Sequence, residues 1–339
     1  MKLSRRSFLK SSMAVAAVPL VPSLSQVPKK RLIAGSGEHT YEVHHDWLTP
    51  PPNIMWGDTH GLAVDRHGNI YVAHTVNKNS VGSDAVLMFD RHGKFQRSWG
   101  AEFRNGAHGL DIRQEGNEEF LYHCDINRCL VVKTDLDGKV VWQKGEPKEP
   151  GVYNEKTPWK PTNVAFAPNG DFFVGDGYGS SYIHRYTKDG EYVSLICGPG
   201  SEPGQVNCPH GLWVDSRDGT PKLAVADRGN RRIQYLTLEG KHIGFVKEGM
   251  RMPCHMHFND KNEMLVPDLQ SVVTILDKDN KVITQLCDGD PSNLRDAPRS
   301  SFIPGKFIHP HSAVWINHQG DIVVAEWVPI GRVTLLKRV

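Results

Sequence analysis

The sequence predicts an all-β protein, a six-bladed β-propeller whose ring is closed by an N-terminal strand that joins the last blade. Short apolar strands alternate with glycine turns, and no long segment has a 3.6-residue hydrophobic period. In addition, one strand-opening phrase occurs six times, beginning at His60, His108, Asn163, His210, His255 and His311. These openings are 48, 55, 47, 45 and 56 residues apart. A propeller blade has about 40–50 residues, so each phrase marks one blade.

Each repeat contains the parts of an antiparallel blade around a central channel. The first strand ends in a turn such as Asp218-Gly219, and two further strands follow. Only three strand candidates lie between His311 and Val339, and residues 40–47 can supply a fourth. We therefore predict that both ends of the mature chain share a blade. The segment 287–310, rich in Asp, Pro and Ser, is a candidate loop over one mouth of the channel.

The N-terminus has the features of a twin-arginine export signal. Arg5-Arg6 precedes an apolar run at residues 13–21, which is shorter than the about 20 apolar residues of a membrane span. We predict a signal peptide at 1–25 and one propeller domain at 26–339, periplasmic or secreted, monomeric and without a membrane span. Loss of residues 1–25 removes four basic and no acidic residues, so the formal charge goes from +2 to −2. This balance argues against a nucleic-acid partner.

Six cysteines, an even number, are present in this exported chain: Cys124, Cys129, Cys197, Cys208, Cys254 and Cys287. Disulfides are therefore permitted. Six cysteines allow about 15 pairings, and the sequence does not choose among them.

Histidine occupies five of the six opening positions. The first strand of a blade lines the channel, so a side chain just before it points towards the axis. His108, His210 and His311 belong to alternate blades and are separated by 102 and 101 residues. Three imidazoles that converge on the axis form a three-coordinate metal site with an open position, which is typical of catalytic zinc. His60 and His255 would lie between them as contacts to the substrate.

The second strand of each blade returns to the same rim. The residues that follow it are His74, Asp125, Asp176, Asp227, Asp268 and Glu326. We expect the acids to hold the next turn through hydrogen bonds to backbone amides. Tyr178 and Arg228 depart from the repeat and are candidate catalytic residues. A recurring histidine has an alternative explanation, because it can satisfy buried turn amides in every blade.

Three stretches resemble the NHL-repeat propeller of the peptidyl-α-hydroxyglycine α-amidating lyases: KPTNVAFAPNGDFFVGDGYGSSYIHRY at 160–186, PHGL at 209–212 and ADRGNRRIQY at 226–235. The resemblance implies a channel zinc held by three histidines, which fall on His108, His210 and His311. It also implies a catalytic tyrosine at Tyr178, an arginine at Arg228 and a structural Ca²⁺ bound largely by carbonyls. In the lyases this site cleaves a carbinolamide C–N bond.

The chain departs from this pattern at two positions. A second active-site arginine of the lyases would fall near Thr75, directly after His74, and a methionine of the lyases is replaced by His309. We take His74 and His309 as candidate substrate contacts. The differences leave the substrate open between a peptide and another hydroxylated small molecule such as a sugar acid.

The combined hypothesis is an exported metal-dependent lyase that cleaves a carbon–nitrogen or carbon–oxygen bond. Zinc would lower the pKa of a substrate hydroxyl, Tyr178 would act as the base and Arg228 would bind an anionic group. One alternative is a non-catalytic NHL-repeat propeller that binds a protein or glycan partner across its rim. Another is a lactonase-like hydrolase, although such a site favours carboxylate and asparagine ligands, and Asn163 is the only amide among the six openings.

Overall fold

A computed structural model describes residues 31–290 and 294–339. Its strands are runs of β-branched and aromatic residues, and each run ends in a polar or glycine turn. The strands pair into six antiparallel sheets. Blade one contains β3–β6 (Thr59–Val64, Ile70–His74, Val86–Phe89, Phe95–Trp99), blade two β7–β10 (Ala107–Glu115, Glu118–Asp125, Leu130–Asp135, Val140–Lys144) and blade three β11–β14 (Asn163–Phe166, Phe172–Gly175, Ile183–Tyr186, Tyr192–Cys197).

Blade four contains β15–β18 (Pro209–Asp215, Lys222–Asp227, Arg232–Leu236, His242–Val246), blade five β19–β22 (His257–Phe258, Met264–Asp268, Val272–Leu276, Val282–Leu286) and blade six β23–β25 (Pro310–Trp315, Ile322–Glu326, Arg332–Arg338). Short 3₁₀ helices cover Ala101–Phe103, Arg228–Asn230 and Arg299–Ser301. In each blade the first strand begins within two residues of its predicted opening. The six-bladed propeller predicted from the repeat is thus confirmed.

The N-terminal part of the described chain closes the ring, as the sequence predicts. Strands β1 (Ile33–Ser36) and β2 (His39–His44) precede blade one, and β2 pairs antiparallel with β25 of blade six, with Val43 opposite Leu336. The sheet is wider than predicted, because β1 pairs with β2 and adds a fifth strand at its outer edge. The backbone reverses between them at Gly37, which has a positive φ of 57°.

The core lies between the blades rather than at the axis. Six clusters of buried apolar side chains each join two neighbouring blades. The cluster between blades six and one combines Val323 and Val333 with Leu62 and Val72, and thereby completes the circle. Burial of such side chains stabilises a fold by about 1.5–3 kcal/mol each. The channel is therefore free to contain polar side chains.

The loop after β22 lies against blades one and six in the part described from residue 294. Arg295 pairs with Asp58 at the entrance to blade one, 2.8 Å between Nη2 and Oδ1. Arg299 donates a hydrogen bond to the carbonyl of Gly331 at 2.6 Å. The loop predicted to cover a channel mouth is thus held to the blades on either side of the ring closure.

All six cysteines are free thiols. The predicted signal peptide lies outside the described residues. In the part of the chain that the structure covers, no helix has the length and apolar character needed to cross a membrane.

The stability of the fold is expected to fall in mild acid. Burial lowers the pKa of His74, His123 and His257 to about 3 each, from an ordinary value near 6.5. As the pH falls below about 6.5, these side chains bind protons only in the unfolded chain. Their contribution to the stability of the folded state is therefore complete above that pH and is lost progressively below it. Each histidine costs about 2 kcal/mol of unfolding free energy between pH 7.5 and pH 5.

Urea unfolding of metal-free protein at these two pH values measures the loss. His123→Gln should reduce it by one histidine's share, whereas replacement of the exposed His92 should not; equal unfolding free energies at both pH values would contradict the prediction.

Candidate metal centre and active site

Four histidines lie at breaks in strand register. The ladder between β3 and β4 pairs Thr59 with His74 and then Leu62 with Val72, so His60 falls in the irregularity. The same break occurs around His108 in β7, His210 in β15 and His311 in β23. A bulge redirects the side chain it contains. In blade three, by contrast, Asn163 pairs regularly with Gly175.

The bulges bring the four imidazoles together on the axis. The ring centroids of His108, His210 and His311 are 4.7–4.8 Å apart. The His60 ring is 4.8 Å from that of His108 and 4.6 Å from that of His311. Each of the four residues is at most 4% exposed. Four buried rings thus occupy the centre of the propeller, with His108 and His311 in contact with each other and with both His60 and His210, although the sequence pointed to three as a metal set.

Backbone carbonyls of the next blade orient three of these rings. Nδ1 of His108 hydrogen-bonds the carbonyl of Thr162 at 2.9 Å, and Nδ1 of His210 that of Cys254 at 2.8 Å. Nδ1 of His311 lies 3.3 Å from the carbonyl of His60. A nitrogen that faces a carbonyl must carry the proton, so Nε2 keeps its lone pair. Nε2 of His108 is buried without a hydrogen-bond partner.

Two of these histidines, His108 and His210, are followed by a glycine because a larger residue would not fit there. A Cβ atom on Gly109 would lie 2.3 Å from the carbonyl oxygen of Thr162, and one on Gly211 would lie 2.4 Å from that of Cys254. These are the oxygens that hold the His108 and His210 rings. Any larger residue would displace the carbonyl, so the His-Gly phrase keeps the imidazole oriented.

The four imidazoles are neutral at physiological pH. Burial lowers the pKa of His108 to about 3, and it lowers the pKa values of His60, His210 and His311 well below their ordinary value. Neighbouring histidines and Arg228 act in the same direction on the last three. A neutral nitrogen with a free lone pair is the form that binds metal ions.

Nitrogens of three channel histidines lie close enough together to converge on one metal ion. One ligand nitrogen from each of His60, His108 and His311 lies within 4.8 Å of the other two. Zinc–nitrogen bonds of about 2.0–2.1 Å place tetrahedral ligands about 3.3–3.4 Å apart. Nδ1 of His60 and Nε2 of His311 are already 3.4 Å apart. The cluster is therefore suited to a nitrogen-ligated metal ion. This group contains His60 rather than His210, so it differs from the set of His108, His210 and His311 that the sequence predicts.

Tyr178 and Arg228 adjoin the cluster on the side of His210. Tyr178 Oη lies 3.2 Å from Nε2 of His210, to which it donates, and Nη1 of Arg228 lies 3.3 Å from Oη. Burial raises the pKa of Tyr178 to about 12, although Arg228 acts in the opposite direction. With only these neighbours, the phenol therefore keeps its proton at neutral pH.

Arg228 is a buried cation, 9% exposed. Within the described residues, none of its hydrogen-bond partners is a carboxylate. Besides Tyr178 it contacts the thiols of Cys208 at 3.3 Å and Cys254 at 4.0 Å. Burial raises the pKa of both thiols, that of Cys254 to about 12, so they are neutral. A buried charge with neutral partners is costly, which favours an anionic ligand here.

The other predicted contact residues have different surroundings. His255 lines the small cavity beside the four rings, and its Nε2 lies 3.5 Å from Asp111. His309 is partly exposed; its Nδ1 donates to the Leu269 carbonyl at 2.7 Å and its ring packs on Trp327. Both nitrogens of His74 are engaged, Nδ1 by backbone amides and Nε2 by the carbonyl of Asp84. No nitrogen of His74 is left for a ligand.

The acids after each second strand have a structural role. Asp125, Asp176, Asp227 and Asp268 each accept hydrogen bonds from loop amides. Glu326 accepts from the amide of Ile308 and pairs with Arg332. The sequence expectation for these residues thus agrees with their contacts.

The sequence did not identify Arg295 as a residue near the channel. Its guanidinium carbon lies 3.8 Å from the Trp327 ring centre, and its charge lowers the pKa values of His60 and His309 after the effect of burial. The backbone amide of Asp58, its ion-pair partner, donates a hydrogen bond to Oγ1 of Thr75 at 3.0 Å. An arginine from the 287–310 loop thus lies near Thr75, where the resemblance would place one from blade one. Only tertiary contacts could reveal this.

Comparison with known proteins identifies the relatives. Residues 2–22 match the model of the TAT (twin-arginine translocation) pathway signal sequence, so the protein is exported to the periplasm or beyond. The chain is 27% identical over 243 residues to peptidyl-alpha-hydroxyglycine alpha-amidating lyase 1 of Drosophila melanogaster, which covers 63% of this chain and 43% of the lyase. It is 30% identical over 203 residues to the probable lyase pgal-1 of Caenorhabditis elegans, covering 54% and 56%. It is 25% identical to human NHL repeat-containing protein 3, covering 63% of both chains.

These relatives bear out the resemblance seen in the motifs, and the chain spans about half the length of the two lyases. Among solved structures, streptogramin B lyase superposes with a TM-score of 0.58 at 12% identity, covering 88% of this chain and 98% of the other. A putative gluconolactonase superposes with a TM-score of 0.57 at 13% identity, covering 85% and 94%. At such identities these structures support the propeller fold alone.

A methyl group at Gly211 is expected to disturb the cluster without removing any imidazole. In Gly211→Ala the new Cβ displaces the Cys254 carbonyl and frees the His210 ring, so metal affinity should fall about 10–100-fold, the usual effect of losing an outer hydrogen bond. Titration with zinc against a competing chelator measures the change. Gly244→Ala is the control, because no atom lies within 4 Å of its Cβ. Equal affinities in both variants would contradict the steric account.

Proposed function

We propose that this protein is an exported metal-dependent lyase that acts on a small hydroxylated, anionic substrate at the channel histidines. The observation that carries the proposal is the combination of neutral, oriented imidazoles with Tyr178 and Arg228 at their edge. The tyrosine hydroxyl contacts both His210 and Arg228, at 3.2 and 3.3 Å. The kinship with amidating lyases, whose motifs include both residues, supports the same reaction class.

His108, His210 and His311 would hold the resident metal ion, which we propose to be zinc. Because Nδ1 of each faces a carbonyl, Nε2 of each has a lone pair. A metal ion would take the place of the Tyr178 hydroxyl at Nε2 of His210 and of the His60 ring at Nε2 of His311. Bound there, zinc would supply Lewis acidity towards a substrate oxygen. His60 lies within the same group of nitrogens.

Arg228 would bind the anionic group of the substrate. Its buried guanidinium faces a phenol and two neutral thiols, so a carboxylate would provide the missing countercharge and accept two parallel hydrogen bonds. Arg295 is less suited to this role, because Asp58 already neutralises it. The anionic end of the substrate would therefore lie on the side of blade four.

Tyr178 would be the base. Its proton points to Nε2 of His210, and when that lone pair serves a metal ion the phenol loses its acceptor while Arg228 still donates to Oη. The loss of this acceptor and the hydrogen bond from Arg228 both favour the phenolate. Both effects oppose burial, which raises the pKa of Tyr178. Tyr178 would then accept the hydroxyl proton, the oxygen electron pair would form the carbonyl, and the bond to nitrogen or oxygen would break. The departing atom takes up a proton.

A lactonase-like site has less support from the channel. Asn163 donates to Asp111 at 2.6 Å and accepts from the amide of Leu212 at 2.7 Å. Asp111 also faces His255 at 3.5 Å. The oxygen ligands that calcium would require are thus engaged with one another, whereas the imidazoles turn neutral nitrogens towards the channel, as a nitrogen-ligated ion requires.

Metal content tests the proposal directly. Protein purified after export is expected to contain about one zinc ion per chain, as a three-histidine site would. His210→Ala should lose most of it, whereas His123→Ala, a buried histidine that hydrogen-bonds Thr134, should not. Elemental analysis with a folding check by circular dichroism gives the answer. Wild-type protein that takes up no metal would end the proposal.

The catalytic roles make separate kinetic predictions. With a peptidyl-α-hydroxyglycine or a hydroxylated sugar acid as substrate, Tyr178→Phe should lower kcat about 10²–10⁴-fold with unchanged metal content, because a general base is lost. Arg228→Gln should mainly raise KM, since it removes the partner of the anionic group. Tyr182→Phe and Arg231→Gln are the matched neighbours that should leave both constants unchanged. Release of a carbonyl product measures the rates, and an active Tyr178→Phe enzyme would refute the assigned base.

A further inference from the structure

His60 has the same structural origin as the three histidines of the proposed site. It falls in a register break at the start of an inner strand, as His108, His210 and His311 do. The ladder of blade three has no such break at Asn163, whereas that of blade five passes from Pro253–Asp268 to His257–Leu265 and contains one extra residue around His255. The bulges of blades one, two, four and six direct four imidazoles, rather than three, to the axis.

His60 presents the opposite nitrogen. Whereas the other three rings use Nδ1 for a carbonyl and turn Nε2 towards the channel, the Nδ1 of His60 faces Nε2 of His311 at 3.4 Å. This separation equals the about 3.3–3.4 Å between two nitrogens that share a tetrahedral zinc ion. In the metal-free arrangement this contact is a hydrogen bond between the two rings, and a shared ion would take its place without a large movement of either nitrogen.

The position of His60 is fixed from blade six. Its carbonyl faces Nδ1 of His311 at 3.3 Å, so the two residues contact each other through backbone and ring. The preceding Thr59 donates its hydroxyl to the carbonyl of Glu326 at 2.8 Å and accepts from the Glu326 amide at 3.1 Å. The His60 backbone is therefore as well held as that of the other three.

We infer that His60 is a fourth metal ligand through Nδ1, so that the resident ion is held by four imidazoles. A site of this kind is closed, and a substrate oxygen can bind only if a ring leaves or the coordination expands. His60 is the ring that can leave, because within the described residues no backbone carbonyl holds either of its nitrogens, whereas one holds Nδ1 of each of the other three. The inference rests on the proposed metal site but not on the proposed reaction.

X-ray absorption of the zinc-loaded wild-type protein tests this without any substitution. Four imidazoles at about 2.0–2.1 Å are expected. Three imidazoles with one oxygen would overturn the inference while leaving the proposed function intact. Four imidazoles in a protein with no lyase activity would overturn only the proposed function, and a wild-type protein that binds no metal would overturn both.

Cobalt-substituted variants give a second readout. His60→Ala should weaken metal binding more than about 100-fold, beyond the about 10–100-fold expected for the loss of an outer contact, and should shift the visible cobalt bands; added imidazole should restore them. His60→Asn avoids a cavity and should shift the same bands. His123→Asn, a buried substitution in blade two away from the axis, should leave them unchanged. A cobalt spectrum and affinity equal to wild type in both His60 variants would contradict the inference.

Discussion

The hydrogen bond from a channel histidine to the opening carbonyl of the next blade links the fold to the site. His108 of blade two reaches Thr162 of blade three, His210 of blade four reaches Cys254 of blade five, and His311 of blade six reaches His60 of blade one. Each contact crosses a boundary between sheets. The orientation of the imidazoles therefore depends on a closed ring, and His311 in particular depends on the packing of blade six against blade one.

The same arrangement sets the electrostatics of the centre. Burial keeps the imidazoles neutral, and the nearby cation Arg228 has a phenol and two neutral thiols as partners. Such a centre offers lone pairs to a cation and a positive charge to an anion within one small space. A hydroxylated carboxylate satisfies both needs together with a metal ion. This charge balance, more than the fold, favours a lyase over a propeller that only binds a partner, because many propellers have the fold and lack the charges.

Arg295 shows how a loop can alter a site while the blades stay the same. It reaches from the segment between blades five and six to Asp58 and lies against Trp327. The resemblance to the lyases would place an arginine of blade one near Thr75. Here Arg295, from the loop between blades five and six, provides a positive charge in that region instead. Since Asp58 compensates it, the two arginines are not equivalent, and recognition of an anion would be asymmetric across the channel.

The sequence by itself determined the six blades, the shared blade of the two chain ends and the export signal, because repeat spacing, strand periodicity and the arginine pair are local features. It also singled out Tyr178 and Arg228 as departures from the repeat. It could not decide that His60 joins the axial group while His74 is engaged by backbone, since both are histidines at a blade rim. Nor could it show Arg295 beside blade one, 237 residues from its partner. Those outcomes depend on bulge geometry and on contacts between distant strands, which only the closed ring creates.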